Sequence, residues 1–424
     1  MQEWALAKLD ELVEKGFLSA ESLASAKAKA QITHGIYGFT ALYMFLMDML
    51  CKGVAEPGKM VPGQSMGSQA LDALVNRLHL KPYKDQIIKH SYGNATFTYY
   101  ANGNLEAGGD FQVALIVIHG ALRDSRSYYC LGWNAVKAWQ GRTERNSKQG
   151  FMLPSGAYPV IYKVESVMVI APKYMYKKDG PKSTDVWWNG SKPWGDWRGG
   201  GDSDPRSANA VSSYACLNMI SLALLDKKKF PKLHQIVMIG HSAGGQFVQR
   251  YSLMSHLYPH GLSNPSLDFR YVIANPSSYV YFDDKRWAYQ CYDGKCTDAV
   301  LKPMNSETKD EFICHTSNFD DWQYGTRNLN SKYGEHSADT VPYIADFSKE
   351  DALARYPNRN MIYLVGQNDT CNDGKMWVDF CDKSCWKREE KCFRNLMDIR
   401  CPAMLQGWNR RIRAYHYYEY LRVY

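Results

Sequence analysis

Gly240, Ser242 and Gly244 form the pattern Gly-x-Ser-x-Gly, with His241 and Ala243 between them. A serine hydroxyl becomes a useful nucleophile when a turn exposes it beside a base and hydrogen-bond donors face the charge that develops on the attacked carbonyl. A sharp strand-to-helix turn does this only with small flanking residues, since a Cβ there would strike neighbouring backbone. The flanks fit. Ile236 to Ile239 is an apolar run that predicts a strand, and Gly245 to Tyr251 reads as a helix. Ser242 is therefore the candidate nucleophile for acyl transfer. The N–H of Ala243, first in that helix, is the candidate first oxyanion donor.

Acyl transfer asks for a second donor, an orienting acid and a base. The second donor should leave an earlier strand. His119, Gly120, Ala121 and Leu122 follow the apolar run Val113 to Ile118, so the Ala121 N–H is chosen. Asp369 stands just past the run Met361 to Val365, at the carboxyl edge where ligands gather in such sheets, with Asp373 in reserve. Placing it after Ser242 keeps the chain order Ser…Asp…His. The base is the difficulty. After Asp369 the sole histidine is His416, in a stretch from Pro402 to Leu421 that reads as one helix, where it would pack or face solvent. His119 and His241 flank the oxyanion donors, and His315 and His336 precede the acid. The expectation is a chain that stops before its last strand and histidine loop. A calcium loop starting at Asp369 fails at Cys371 and Phe380, so neither metal nor cofactor is expected.

The elements that must position these groups are legible as apolar runs. Val113 to Ile118, Val167 to Ala171, Ile236 to Ile239, Tyr271 to Ala274 and Met361 to Val365 are separated by helical stretches such as Ala208 to Leu225 and Gln246 to Leu257. Continuous apolar runs of strand length predict parallel strands buried on both faces. The fold class is thus α/β, a doubly wound, mostly parallel sheet. Ala95 to Tyr100 predicts an earlier strand. Residues 277–343 lose the rhythm and read as an inserted cap within a domain spanning 86–424. Ahead of it, 1–30 predict a hairpin of two short helices, and 31–85 an apolar helix followed by a Gly/Pro-rich linker.

Composition bounds the function. The net charge of +8 gathers at Lys227 to Lys229 and at Arg410 to Arg413, both read as solvated faces, and no nucleic-acid module is present. Eleven cysteines without zinc spacing favour disulfides and an oxidising, extracellular or secretory compartment, with Cys51 or Cys216 left unpaired. Sequons at Asn94 and Asn189 agree with a glycoprotein, and one at Asn368 overlaps the proposed acid. No secretory signal stands at Met1. Residues 35–50 are the most apolar but are short and interrupted by Asp48. They read as a buried helix, with membrane contact as the alternative. Trp187, Trp188, Trp194 and Trp197 either line a cleft or pack a loop.

Over 86–424 the sequence resembles the α/β-hydrolase superfamily. More narrowly, it resembles a poorly characterised group of secreted fungal and other microbial serine hydrolases. The resemblance rests on His119 to Asp124, Gly240 to Tyr251, Asn275 to Tyr279, Trp322 to Gly325 and Leu405 to Arg410. It implies Ser242 as nucleophile and Asp369 as acid, and relatives that continue into a strand and a loop bearing the base. Residues 9–21 resemble the small helical hairpin called SHOCT, an oligomerisation element. The combined expectation is a serine hydrolase acting on a small-molecule or lipid carboxylic ester. Its rivals are an inactive relative that binds a ligand or adheres, and a peptidase or amidase on the same scaffold.

Overall fold

Six consecutive apolar residues, Val113–Ile118, form strand β3 at the heart of a seven-stranded sheet, and five of the six are buried. The computed structural model describes residues 84–89, 95–148, 163–190, 195–207, 210–255, 257, 267–292, 295–312, 314–327, 348–367, 369, 397–398 and 400–424. The other strands of the sheet are β1 (Lys84–Lys89), β2 (Thr96–Ala101), β4 (Val167–Pro172), β5 (Gln235–His241), β6 (Asp268–Ala274) and β9 (Asn360–Leu364). Their order is β1-β2-β4-β3-β5-β6-β9.

The chain passes from β3 outward to β4 and from β5 outward to β6 on the other side, and all these pairings are parallel. The loops leaving β3 and β5 therefore diverge, which opens a crevice at the carboxyl ends of the two central strands. Ile118 pairs with Gly240 in register, so those loops start side by side. β9 pairs with β6 through Leu364 opposite Ala274 and brings the next loop to the same edge. This architecture is the α/β-hydrolase fold.

Each apolar run named from sequence overlaps a strand, with Val365 falling just past β9 and Ala95 just before β2, and β4 is buried along its whole length. β9 differs from expectation. As an edge strand it leaves Ile362 and Leu364 well exposed rather than buried on both faces. β1 was invisible to the pattern because its Lys84, Asp85, Gln86 and Lys89 carry no apolar run.

Helix α2, Ser213–Leu225, starts later than expected because Ser212 caps it, accepting from the Tyr214 N–H. Helix α3, Ala243–Met254, is buried at every position. The stretch from Pro402 to Leu421 is not one helix. A helical turn at Cys401–Met404 ends near Gly407, at φ 136°. Asn409 then accepts from the Ile412 N–H and starts a separate helix, Arg410–Val423. A side chain at Gly407 would be strained at that φ and would strike Ile412. The described part of 277–343 contains an antiparallel hairpin, β7 (Lys285–Tyr292) with β8 (Lys295–Pro303).

Residues 86–99, 103–125 and 165–424 make one compact unit. The helix Ser125–Lys148 belongs almost wholly to a second. In the first unit Cys314 and Cys401 form a disulfide, while Cys216 is free and buried in α2. Cys130 is also disulfide-bonded. No helix among the described residues is long and apolar enough to cross a membrane. Residues 1–50, including the apolar 35–50 stretch and the SHOCT-like text, lie outside the described residues, as do Cys51, Asn94, Trp194, His336, Asn368 and Asp373.

Candidate active site

The turn between β5 and α3 puts Ser242 at φ 57°, ψ −116°, in the left-handed half of conformational space that residues with a side chain rarely enter. Its N–H donates to the Ala274 carbonyl and its carbonyl accepts from Gln246 N–H, so the strained residue is held from both sides. A Cβ on Gly240 would lie 2.0 Å from the Gly244 carbonyl oxygen, and one on Gly244 would lie 2.4 Å from the Ile118 oxygen and 2.7 Å from the His119 oxygen. Those contacts explain both glycines and press the start of α3 against the loop leaving β3. Ser242 itself is half-buried.

That loop is rigidly tied. His119 is fully buried, with Nδ1 against the Gly120 carbonyl and Nε2 accepting from the Tyr174 N–H. Burial pulls its pKa down to about 4, against the pull of the Gly120 hydrogen bond. Both ring nitrogens hold backbone, so His119 is a strut. Arg123, at φ 61°, donates from Nε (2.6 Å) and Nη2 (3.1 Å) to Asp179, and from Nη1 to the Ala121 carbonyl (2.7 Å). Its guanidinium also lies over the Tyr176 ring, 4.1 Å from the centroid. Asp179 in turn accepts from the Tyr176 N–H. Burial opposes ionisation of Asp179, but the hydrogen bonds from Arg123 and Tyr176 outweigh it and hold the carboxyl below its ordinary range. Ala121 thus sits on a clamped turn, and it is the Ile118 and His119 carbonyls just before it that lie against Gly244 in α3, the helix that Ala243 opens.

Asp369 is buried at 3% exposure and follows β9 by a short loop. Asn275, at φ 45°, fixes that loop: its N–H donates to the Leu364 carbonyl and its side-chain oxygen accepts from Gly366 N–H at 2.8 Å. Asparagine tolerates this backbone better than most residues.

The sequence did not anticipate what joins Ser242 and Asp369. Arg410, the first residue of its helix, is 7% exposed rather than solvated. Its Nη2 is 3.3 Å from Ser242 Oγ, Nε and Nη2 are each 3.4 Å from Ser277 Oγ, and Nη1 is 3.7 Å from Asp369 Oδ2. Arg411 N–H donates to the Asp369 carbonyl. Arg413 is fully buried too, donating to the Gly407 and Ser277 carbonyls, whereas Lys227 to Lys229 are exposed as expected. The signal for Arg410 was the Gly407/Asn409 break, which starts a new helix at the site.

His416 lies away from Ser242's contacts. It stacks on Trp287 at 4.4 Å and its Nδ1 meets the Gln406 carbonyl, and burial lowers its pKa to about 4. It packs, as its helical setting suggested. His241 has solvent-exposed surface, yet the protein packed around it and then the Arg410 charge pull its pKa down to about 4. Among the described residues the geometry assigns no imidazole to the role of base, and no group of His, Cys, Asp and Glu could hold a metal. The three described tryptophans of the four pack. Trp188 and Trp197 are buried, Trp197 stacks on Tyr174 at 5.1 Å, and Trp187 is 7% exposed.

No protein-family model matches the sequence. No curated protein matches it either. Among solved structures it is similar to LpqC, a poly(3-hydroxybutyrate) depolymerase from Bordetella parapertussis. That likeness has 18% identity over 83% of this chain and 82% of that one, with a TM-score of 0.41. It is also similar to poly(aspartic acid) hydrolase-1 from Sphingomonas sp. KT-1, at 18% identity over 81% and 86% of the two chains and a TM-score of 0.39.

Proposed function

We propose that the protein is a serine hydrolase of carboxylic esters, with Ser242 as nucleophile. The observation that carries this reading is the strained backbone of Ser242, φ 57°, on a strand-to-helix turn whose glycines leave no room for a side chain. Strain at one serine, at the carboxyl edge beside a helix N-terminus, suits a hydroxyl meant to be presented.

In the proposed reaction Ser242 Oγ attacks the ester carbonyl carbon, and its proton passes to a base. The carbonyl oxygen becomes an oxyanion and takes hydrogen bonds from the Ala243 and Ala121 N–H groups, which the Gly244 contact and the Arg123–Asp179 clamp hold at one edge. The intermediate expels the alcohol, which leaves with the proton, and water then releases the acid by the same steps in reverse roles. Asp369 is the acid that would orient the base.

A second reading follows from Arg410. A guanidinium offers N–H donors and no acceptor, so it cannot serve as that base, yet it occupies the space between Ser242 Oγ and Asp369. This favours a ligand-binding relative that retains the elbow. The deciding experiment is turnover of a short-chain 4-nitrophenyl ester and of the matching anilide by the full chain and by Ser242→Ala. Ester cleavage abolished by the substitution supports the hydrolase, and anilide cleavage extends it to amides. Equal rates for both proteins favour the binding reading.

A further inference from the structure

We propose that Arg410 is a catalytic residue that stabilises the Ser242 alkoxide, so that hydroxide from solvent removes the Oγ proton; this rests on Ser242 as nucleophile and names the proton acceptor. Arg410 Nη2 donates to Ser242 Oγ at 3.3 Å. A guanidinium keeps its charge whatever else it touches, so this contact strengthens when the hydroxyl ionises. The arginine side chain is 8% exposed, where charge is poorly screened. Ser242 is also the N-cap residue of the 12-residue helix α3, whose first turn favours negative charge. Hydroxide takes the Oγ proton and becomes water. The freed electron pair bonds the ester carbonyl carbon, and the carbonyl π pair moves onto its oxygen. On collapse the leaving alkoxide takes a proton from water, which restores the hydroxide.

Charged and titratable groups surround this contact from several elements. From the loop after β9, Asp369 faces Arg410 Nη1 at 3.7 Å, while Nη2 faces Oγ. The carboxylate opposes an alkoxide, but the cation in direct contact with Oγ outweighs a charge held across it. Asp369 then holds a guanidinium in place of an imidazole. Arg411 N–H donates to the Asp369 carbonyl, and Arg413 donates to the Ser277 carbonyl. On β5, burial and then the Arg410 charge hold His241 near pKa 4, so the arginine is felt at the turn itself. His119, behind Gly244, and His416, on the Arg410 helix, are also lowered to about 4 by burial. These three imidazoles are neutral from about pH 6.5 upward, so a rate that climbs above that pH is not their titration.

The experiment is the rate at which a fluorophosphonate labels Ser242 in the full chain, followed by peptide mapping from about pH 6.5 to about 8.5. In that reaction Oγ bonds phosphorus, the P–F bond breaks and fluoride leaves. With hydroxide as acceptor the rate should rise about tenfold per pH unit, whereas an imidazole base levels off above its pKa, ordinarily about 6.5. At fixed pH, Arg410→Gln should slow labelling by about ten- to a hundredfold, the worth of one hydrogen bond to a charged group. Arg410→Lys keeps the charge and should slow it less. A rate that changes by less than about twofold over the pH range, or Arg410→Gln labelled as fast as the unaltered protein, overturns the proposal and leaves Ser242 as nucleophile. If Arg410→Gln does not fold, the pH series of the unaltered protein decides alone. Absence of labelling at every pH removes the nucleophile reading, and this proposal with it.

Discussion

Asp179 lies outside the Ser242 turn and the Asp369 loop, yet under the proposed function its contacts make it a control point for the loop that carries Ala121. Replacing it with alanine removes both carboxylate contacts to Arg123 and the acceptor for the Tyr176 N–H. The pair is partly buried, at 9% exposure for the arginine side chain and 23% for the aspartate. Orphaning one member of a fully buried pair costs 3–5 kcal/mol, and an exposed pair contributes under about 1, so Asp179→Ala should destabilise by about 2 kcal/mol. The effect on reactivity should exceed that of a remote surface change of equal stability cost. Arg123 holds a φ of 61° that costs about 1 kcal/mol or more, and with its anchor gone it can relax and carry Ala121 out of place. Losing an oxyanion donor outright costs about 100- to 1000-fold, so loosening one should cost about tenfold or more. The assay is the second-order rate of fluorophosphonate labelling of Ser242, alongside thermal unfolding. A labelling rate that stays within about twofold of the unaltered protein, while the melting temperature falls as expected, would show that the clamp does not govern the loop.

Three further outcomes follow from the same contacts. Gly240→Ala would push a Cβ to 2.0 Å from the Gly244 oxygen, so it should destabilise by about 3 kcal/mol or more and abolish Ser242 labelling; a folded, labelled variant would contradict the tight elbow. His119 and His416 have folded pKa values near 4, below the ordinary 6.5, so the unfolded chain binds more protons between those values. Their stabilisation is therefore complete above about pH 6.5 and lost as pH falls toward 4, by about 3 kcal/mol for each residue, and His119→Gln should flatten that limb in a pH series of urea midpoints. The Cys314–Cys401 disulfide spans 87 residues, and chain-entropy arguments give about 4–5 kcal/mol for such a loop. The double Cys→Ser variant should lose most of that in denaturant titration.

What was legible in the sequence was whatever local chemistry dictates. The elbow could be read because strain, close approach and helix start each demand a residue type at a fixed spacing, and the central strands could be read because burial on both faces leaves continuous apolar runs. Arg410 was not legible, since an arginine-rich helix start looks the same whether it faces water or a crevice. Only the break between helices at Gly407 and the fold around it decide which. Arg250, buried and donating to the Gln323 carbonyl and Ser278 Oγ, escaped for the same reason. Its partners lie 73 and 28 residues away, and no local pattern records contacts at that range. β9 misled because an edge strand can carry the same apolar text as a central one.

The proposed function stands on Ser242 as a presented nucleophile. Its most direct test is intact-protein mass spectrometry of the full chain after fluorophosphonate exposure, with peptide mapping and Ser242→Ala alongside. A single adduct on Ser242, absent from the variant, is the predicted result. An unmodified protein, or equal modification of the variant, would contradict the account and leave the elbow as a feature of the fold without its chemistry.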